Sequence, residues 1–159
     1  MSKFVPYPLF HDDMPIDISF VFESERPAGK HGFMHTAGDH FEFEDGTGAR
    51  FWRVNFNGGA CFPSHEYAET VADRLAKAGC NIVRFHQLDA EWDSPNIFSF
   101  SRGKRLGSTR ELDPRSMERL DYLVYCLKGR GIYSYLDMLT YRRYKTADGV
   151  AAAADMIDS

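Results

Sequence analysis

The chain has 159 residues, 43% hydrophobic and 14% aromatic, with a net charge of −4. That is enough apolar side chain for one domain with a core. With 19 basic against 23 acidic residues, no basic stripe and no apolar run near the ~18 residues of a membrane span, nucleic acid and membrane are excluded as partners.

Residues 1–17 are proline-rich and irregular. Phe4-Val5 and Leu9-Phe10 are interrupted by Pro6 and Pro8, so the chain as given shows no signal-peptide apolar segment; as it stands it reads as cytoplasmic, and its localisation is left open. Ile18-Ser19-Phe20-Val21-Phe22 is a short strand candidate. Residues 24–40, with glycines and histidines, read as loop and close an N-terminal segment over 1–40. Phe41-Glu42-Phe43-Glu44 alternates apolar and charged, as a half-buried strand does. Asp45-Gly46 is a hairpin signal. Phe51-Trp52-Arg53-Val54-Asn55-Phe56 reads as the return strand or as the first strand of a sheet, and Gly58-Gly59 breaks it.

Ser64 is the expected N-cap, and Tyr67, Val71, Leu75 and Ala78 recur at helical spacing, predicting a helix over 64–78 that ends at Gly79. Asn81-Ile82-Val83-Arg84-Phe85-His86 follows as a β-rich run, which predicts a parallel βαβ pair. Residues 88–112 form a long polar insertion of the kind that is functional or disordered. Asp113-Pro114 opens a second helix with Met117, Leu120, Leu123, Val124 and Leu127 on one face. Residues 132–139 are a third strand, with Asp137 near its end. Residues 41–140 therefore alternate strand and helix, which implies a parallel sheet with helices outside it. Residues 141–159 are loop and an alanine-rich tail, and Arg142-Arg143 with Lys145 is a solvated cluster. Cys61, Cys80 and Cys126 are an odd count without a CxxC spacing, so a disulfide framework is not expected.

In parallel α/β folds, ligands bind beyond the carboxyl ends of the strands. Those tips present Asn55 and Asn57, then Arg84, His86 and Asp89, then Asp137 and, beyond it, Tyr141. Burying such groups without partners is costly, so a shared polar site is expected; the alternative is a structural network at the rim. Trp92, Tyr141 and Tyr144 offer flat aromatic faces, while Trp52 is expected in the core.

The run "RLAKAGCNIVRFHQLD" over 74–89, preceded by Asp45-Gly46 and Arg53-Val54-Asn55, resembles the start of clan A glycoside hydrolases, most closely family 5 cellulase-like proteins. So does the later stretch from Leu120-Asp121-Tyr122-Leu123-Val124 to Tyr133-Ser134-Tyr135-Leu136-Asp137-Met138. The resemblance covers residues 41–140. It implies a partial TIM (β/α)8 barrel: the first three parallel strands and two helices, preceded by a β-hairpin. It also implies a β-linked carbohydrate substrate, retention of configuration, and no cofactor or metal. Arg84 matches an arginine that hydrogen-bonds the nucleophile, His86 a position lining a sugar subsite, and Asp137 lies near sugar-contacting positions. Where the family often has Gly-Val-Asn, this chain has Arg53-Val54-Asn55.

A complete barrel takes about 250 residues, and retaining enzymes need two carboxyl groups about 5 Å apart. In the family these are a glutamate after an asparagine on strand four and a glutamate on strand seven. No Asn-Glu occurs here, so the chain is expected to be an N-terminal portion with no catalytic residue and no activity alone. Asp89, Glu91 and Asp93 on the insertion are poor substitutes, because loops hold such distances loosely. An open sheet edge would favour self-association or complementation by the missing barrel half. Two alternatives are a non-catalytic carbohydrate-binding or scaffold module and a metal-dependent barrel enzyme. The latter would use His86, Asp89 and Glu91, or His31, His35 and His40, but neither set has a recognised ligand spacing.

Overall fold

Both helices begin where the sequence marks a cap. In the computed structural model, which describes residues 17–100, 108–138, 142 and 144–150, α1 spans His65–Lys77 and α2 spans Pro114–Gly129. Ser64 Oγ accepts from the Tyr67 N–H at 3.3 Å and Asp113 Oδ1 from the Ser116 N–H at 2.8 Å. Each satisfies one of the donors a helix start leaves open. Glu66 in the first turn and Arg74 and Lys77 in the last suit the helix dipole. Gly79, at φ +73°, turns the chain out of α1.

α1 and α2 cross between three parallel strands: β3 (Arg53–Asn57), β4 (Ile82–His86) and β5 (Tyr133–Leu136), in that spatial order. The register pairs Asn55 with Arg84 and Arg84 with Tyr135. Alternation along each strand separates two faces. Val83 and Phe85 are fully buried, and Val54 and Phe56 pack beside them against Ala68, Ala72, Leu120, Leu123 and Leu127. Each large side chain so buried contributes about 1.5–3 kcal/mol. The other face carries Arg53, Asn55, Asn57, Arg84, His86, Tyr133 and Tyr135, and among the described residues no helix covers it. The mixed α/β architecture, with three parallel strands and two crossover helices after a hairpin, is the one expected of a barrel's opening.

The hairpin lies earlier than expected. β1 (Met34–Ala37) pairs antiparallel with β2 (His40–Phe43), so a segment expected to be loop supplies one strand. The two-residue turn Gly38-Asp39, with Gly38 at φ +63°, sets this register. Asp45-Gly46 does turn the chain, with Phe43 N–H bonding Thr47 C=O at 2.9 Å, but it leads only to an isolated bridge between Glu42 and Gly48.

The hairpin closes the amino ends of the strands. Phe43, 5% exposed, stacks on Tyr133 with ring centroids 5.5 Å apart, and Phe51 meets Tyr133 edge-on at 5.6 Å. Asn81 completes the seal. Its Oδ1 accepts from the Trp52 N–H and its Nδ2 donates to the Arg50 carbonyl, both at 2.7 Å.

Two further expectations are corrected. Ser19–Glu25 is a 3-10 helix rather than a strand, because Asp17 Oδ1 accepts from the Ser19 N–H at 3.0 Å and starts a local turn. Trp52 is 70% exposed instead of core: its backbone serves Asn81, and Phe51 does the packing. The insertion after β4 is ordered and packed over residues 88–100. Leu88, Ala90 and Phe98 are buried, Asn96 Nδ2 donates to Ala90 and Asp93 carbonyls, and Ile97 N–H bonds Leu88 C=O at 2.8 Å. The three cysteines are free and buried. Among the described residues no helix is long and apolar enough to cross a membrane.

Candidate functional site

Arg84 sits between two fully buried residues of β4, so its side chain must leave on the uncovered face. There it meets Asp137. Arg84 Nε donates to Asp137 Oδ1 at 3.0 Å and Nη2 to Oδ2 at 2.7 Å, a two-pronged pair. His86 Nδ1 also bonds Asp137 Oδ2. The Asp137 side chain is 8% exposed, against 32% for Arg84 and 23% for His86. The Arg84 guanidinium, then the His86 bond, holds the Asp137 carboxyl below the usual carboxylate range. Asp137 in turn pushes Arg84 up.

The ladder explains why these groups meet. Phe85 pairs with Leu136, and the Asp137 N–H bonds the Phe85 carbonyl at 3.2 Å, so Asp137 falls level with His86. Asn57 pairs with His86 on the other side. Asn57, His86 and Asp137 thus form an upper rung; Asn55, Arg84 and Tyr135 form the rung below. Tyr135 was not singled out from sequence, and its signal was the period-two series Tyr133, Tyr135, Asp137.

Beyond His86 the chain turns sharply. Gln87 has φ +59°, a left-handed conformation costing about 1–2 kcal/mol in a residue with a side chain. It sends the chain into a packed arch over residues 88–100. That arch is tied to the 3-10 turn Gly58–Cys61 that follows β3 through Asp93, whose Oδ2 accepts from the Gly59 N–H at 2.7 Å. Gly58, at φ +51°, leaves no room for a Cβ, which would overlap the Asp93 carboxylate.

Of the residues expected to bind substrate, Asn55, Arg84, His86 and Asp137 share the uncovered face. Asp89 is 5% exposed within the arch. Trp92, 62% exposed, lies on the arch beside Glu91, which pairs with Lys145 at 3.0 Å. Tyr141 lies outside the described residues. His86, Asp89 and Glu91 do not converge, and no group of three His, Cys, Asp or Glu side chains placed to hold a metal occurs among the described residues. Cys61 is no nucleophile: burial pushes its thiol up to about 12. A cleft of about 750 Å³ on the outer helical layer is remote from the strand tips. Two of its polar pairs tie helix to helix: Arg130 with Asp73, and the Tyr122 hydroxyl with Glu69.

Several groups on the uncovered face remain unspent. Among the described residues, His86 Nε2, Arg84 Nη1 and the Asn55 and Asn57 amides have no hydrogen-bond partner. Donors and acceptors of both kinds are therefore presented to solvent around one ionised carboxylate.

No family model matches the chain, and no curated protein matches it. Among solved structures it is similar to a glycoside hydrolase family 5 protein from Bacteroides vulgatus ATCC 8482, with 20% identity and a TM-score of 0.49 over 70% of this chain and 25% of that one. It is also similar to a structure described as a glycoside hydrolase, with 15% identity and a TM-score of 0.48 over 70% of this chain and 26% of the other. The chain spans about a quarter of the length of either.

Proposed function

We propose that the chain is the opening part of a glycoside hydrolase barrel and that its uncovered face binds a β-linked oligosaccharide. The observation that carries this is the set of unspent donors and acceptors around Asp137. A sugar hydroxyl both donates and accepts, and it suits a face offering amides, a guanidinium nitrogen and an imidazole nitrogen together. Asn55, Arg84, His86 and Asp137 form its floor, Trp92 supplies a flat rim, and Asp89 and Tyr141 complete the proposed set.

Binding without turnover is the specific expectation for this chain. Retaining hydrolysis needs two carboxyl groups about 5 Å apart. Among the described residues the face carries one, Asp137, already engaged by Arg84 and His86. The non-catalytic carbohydrate-binding module is therefore the second reading, and the same face serves it.

Further βα units would complete the fold. Among the described residues, β3 and β5 are both edge strands. Beside β3 a groove of about 420 Å³ is lined by Phe56, Pro63, Tyr67, Val71 and Leu75. Near β5, Leu136 is 53% and Met138 91% exposed. Bare edges and apolar surface of this kind favour association.

Calorimetric titration of the chain with cellohexaose tests the proposal. Saturable binding that Arg84→Ala removes, with no sugar released, is the expected result. No heat of binding with cellohexaose or with a mannan or xylan oligomer of equal length would sink it.

A further inference from the structure

Three groups share the upper end of the uncovered face, and their protons are not free to sit anywhere. Asp137 accepts two hydrogen bonds from Arg84. A carboxylate held by a guanidinium in this way is ionised and can only accept. The proton in its contact with His86 therefore belongs to His86 Nδ1. In the neutral imidazole this leaves Nε2 as the nitrogen with the lone pair. That atom has no protein partner among the described residues, and the side chain is 23% exposed.

The neighbouring strand supplies the complementary group. Asn57 is the register partner of His86 and is exposed on the same face. Its amide can donate where Nε2 accepts. Asn55, one rung lower, is level with Arg84 instead.

We propose that Asp137 is a positioning residue that locks His86 in the Nδ1–H form, so that Nε2 accepts a hydrogen bond from a ligand hydroxyl while the Asn57 amide donates to the same sugar. The assignment deepens the carbohydrate reading and rests on it for the identity of the ligand. It specifies a hydroxyl rather than an acidic or fully substituted position opposite His86. It also adds Asn57, one rung above Asn55, to the contacts of the first parallel strand.

Long-range proton–nitrogen correlation spectra of the nitrogen-15-labelled chain test it, with the His86 signals identified by their loss in His86→Gln. At a pH where the ring is neutral, Nδ1 should appear protonated and Nε2 unprotonated, and Asp137→Ala should shift the ring toward the Nε2–H form. Adding cellohexaose should then move the Nε2 resonance. Asn57→Ala should weaken binding about three- to tenfold, the loss of one hydrogen bond, and Asn55→Ala by less. His86→Gln, whose amide oxygen can reach the Nε2 position, should retain more binding than the shorter His86→Asn.

An Nε2–H ring in the unmutated chain overturns the assignment whatever the sugar does, and needs no variant to fold. An Nδ1–H ring whose Nε2 stays put while other resonances shift with sugar also overturns it, leaving the carbohydrate face intact. An Nδ1–H ring with no resonance moved by any oligosaccharide overturns the ligand contact together with the carbohydrate reading.

Discussion

Arg84 and Asp137 meet edge to edge across the tips of β4 and β5, with Nε on Oδ1 at 3.0 Å and Nη2 on Oδ2 at 2.7 Å. A planar fork is needed for both bonds, and an ammonium cannot make them. Arg84→Lys should therefore keep the charge yet weaken oligosaccharide binding by about tenfold or more, as a bidentate site loses its geometry. It should also lower the urea midpoint, and Asp137→Ala should lower it further by leaving Arg84 and His86 without their shared acceptor. Equal binding by Arg84→Lys and the parent, measured by calorimetry, would contradict this.

Acid should unfold the chain through its paired carboxylates. The His31 bond, then the Thr47 N–H, lowers Asp45 to about 2, and Asp137 is also lowered. Both folded-state values lie below the unfolded value of ~3.9. Their stabilisation is complete above that pH and disappears as pH falls from about 4 toward 2. Asp45→Asn should make the urea midpoint fall less steeply over this window. An unchanged slope would count against the His31–Asp45 contact.

The helix caps make a clean pair for measurement. Asp113→Ala and Ser64→Ala should each cost about 0.5–2 kcal/mol by urea denaturation. Asp113 should cost more, since its bond to the Ser116 N–H is 2.8 Å against 3.3 Å for Ser64 with Tyr67.

Gly58 tests the tie between the turn after β3 and the arch. Gly58→Ala adds a left-handed residue with a side chain, and its Cβ displaces the Asp93 carboxylate. A loss of more than about 1 kcal/mol is expected. Amide exchange should quicken around Gly59 and Ser94, whose N–H groups donate to Asp93. Protection unchanged at both amides would show that the tie does not hold the arch.

The two tryptophans should respond differently to sugar. Both are largely exposed, Trp52 at 70% and Trp92 at 62%. Trp52 lies at the end sealed by the hairpin, whereas Trp92 lies on the arch that follows His86. Cellohexaose should alter fluorescence through Trp92 alone, so Trp92→Phe should abolish the change and Trp52→Phe should keep it.

Much of this fold is written in local chemistry. Ser64 and Asp113 announce the helix starts, and Gly79 ends the first helix, because caps and left-handed turns depend on a few adjacent residues. The alternation in Val83-Arg84-Phe85-His86 was enough to send Arg84 and His86 to one face. What escaped depends on distant partners. Nothing near Met34-His35-Thr36-Ala37 shows that it will pair with His40–Phe43. The exposure of Trp52 follows from Asn81, 29 residues away, claiming its backbone. The union of Arg84 with Asp137 spans 53 residues and needs the β4–β5 register to be seen. The packing of 88–100 is hidden in the same way, because Asn96 and Asp93 look solvated until their backbone partners are in place.

The outer strands, unpaired among the described residues, have a polarity that limits how copies can join. β3 and β5 run the same way and are different strands. Continuing the sheet in its existing direction sets the β5 side of one molecule against the β3 side of the next. That contact is head to tail, repeats with every addition, and stops only if a ring closes. Two like edges can meet only in opposite directions, about a two-fold axis, and that union is finished at two. The size distribution in solution therefore reports which edge is used: a discrete dimer means like with like, and a ladder of growing species means unlike.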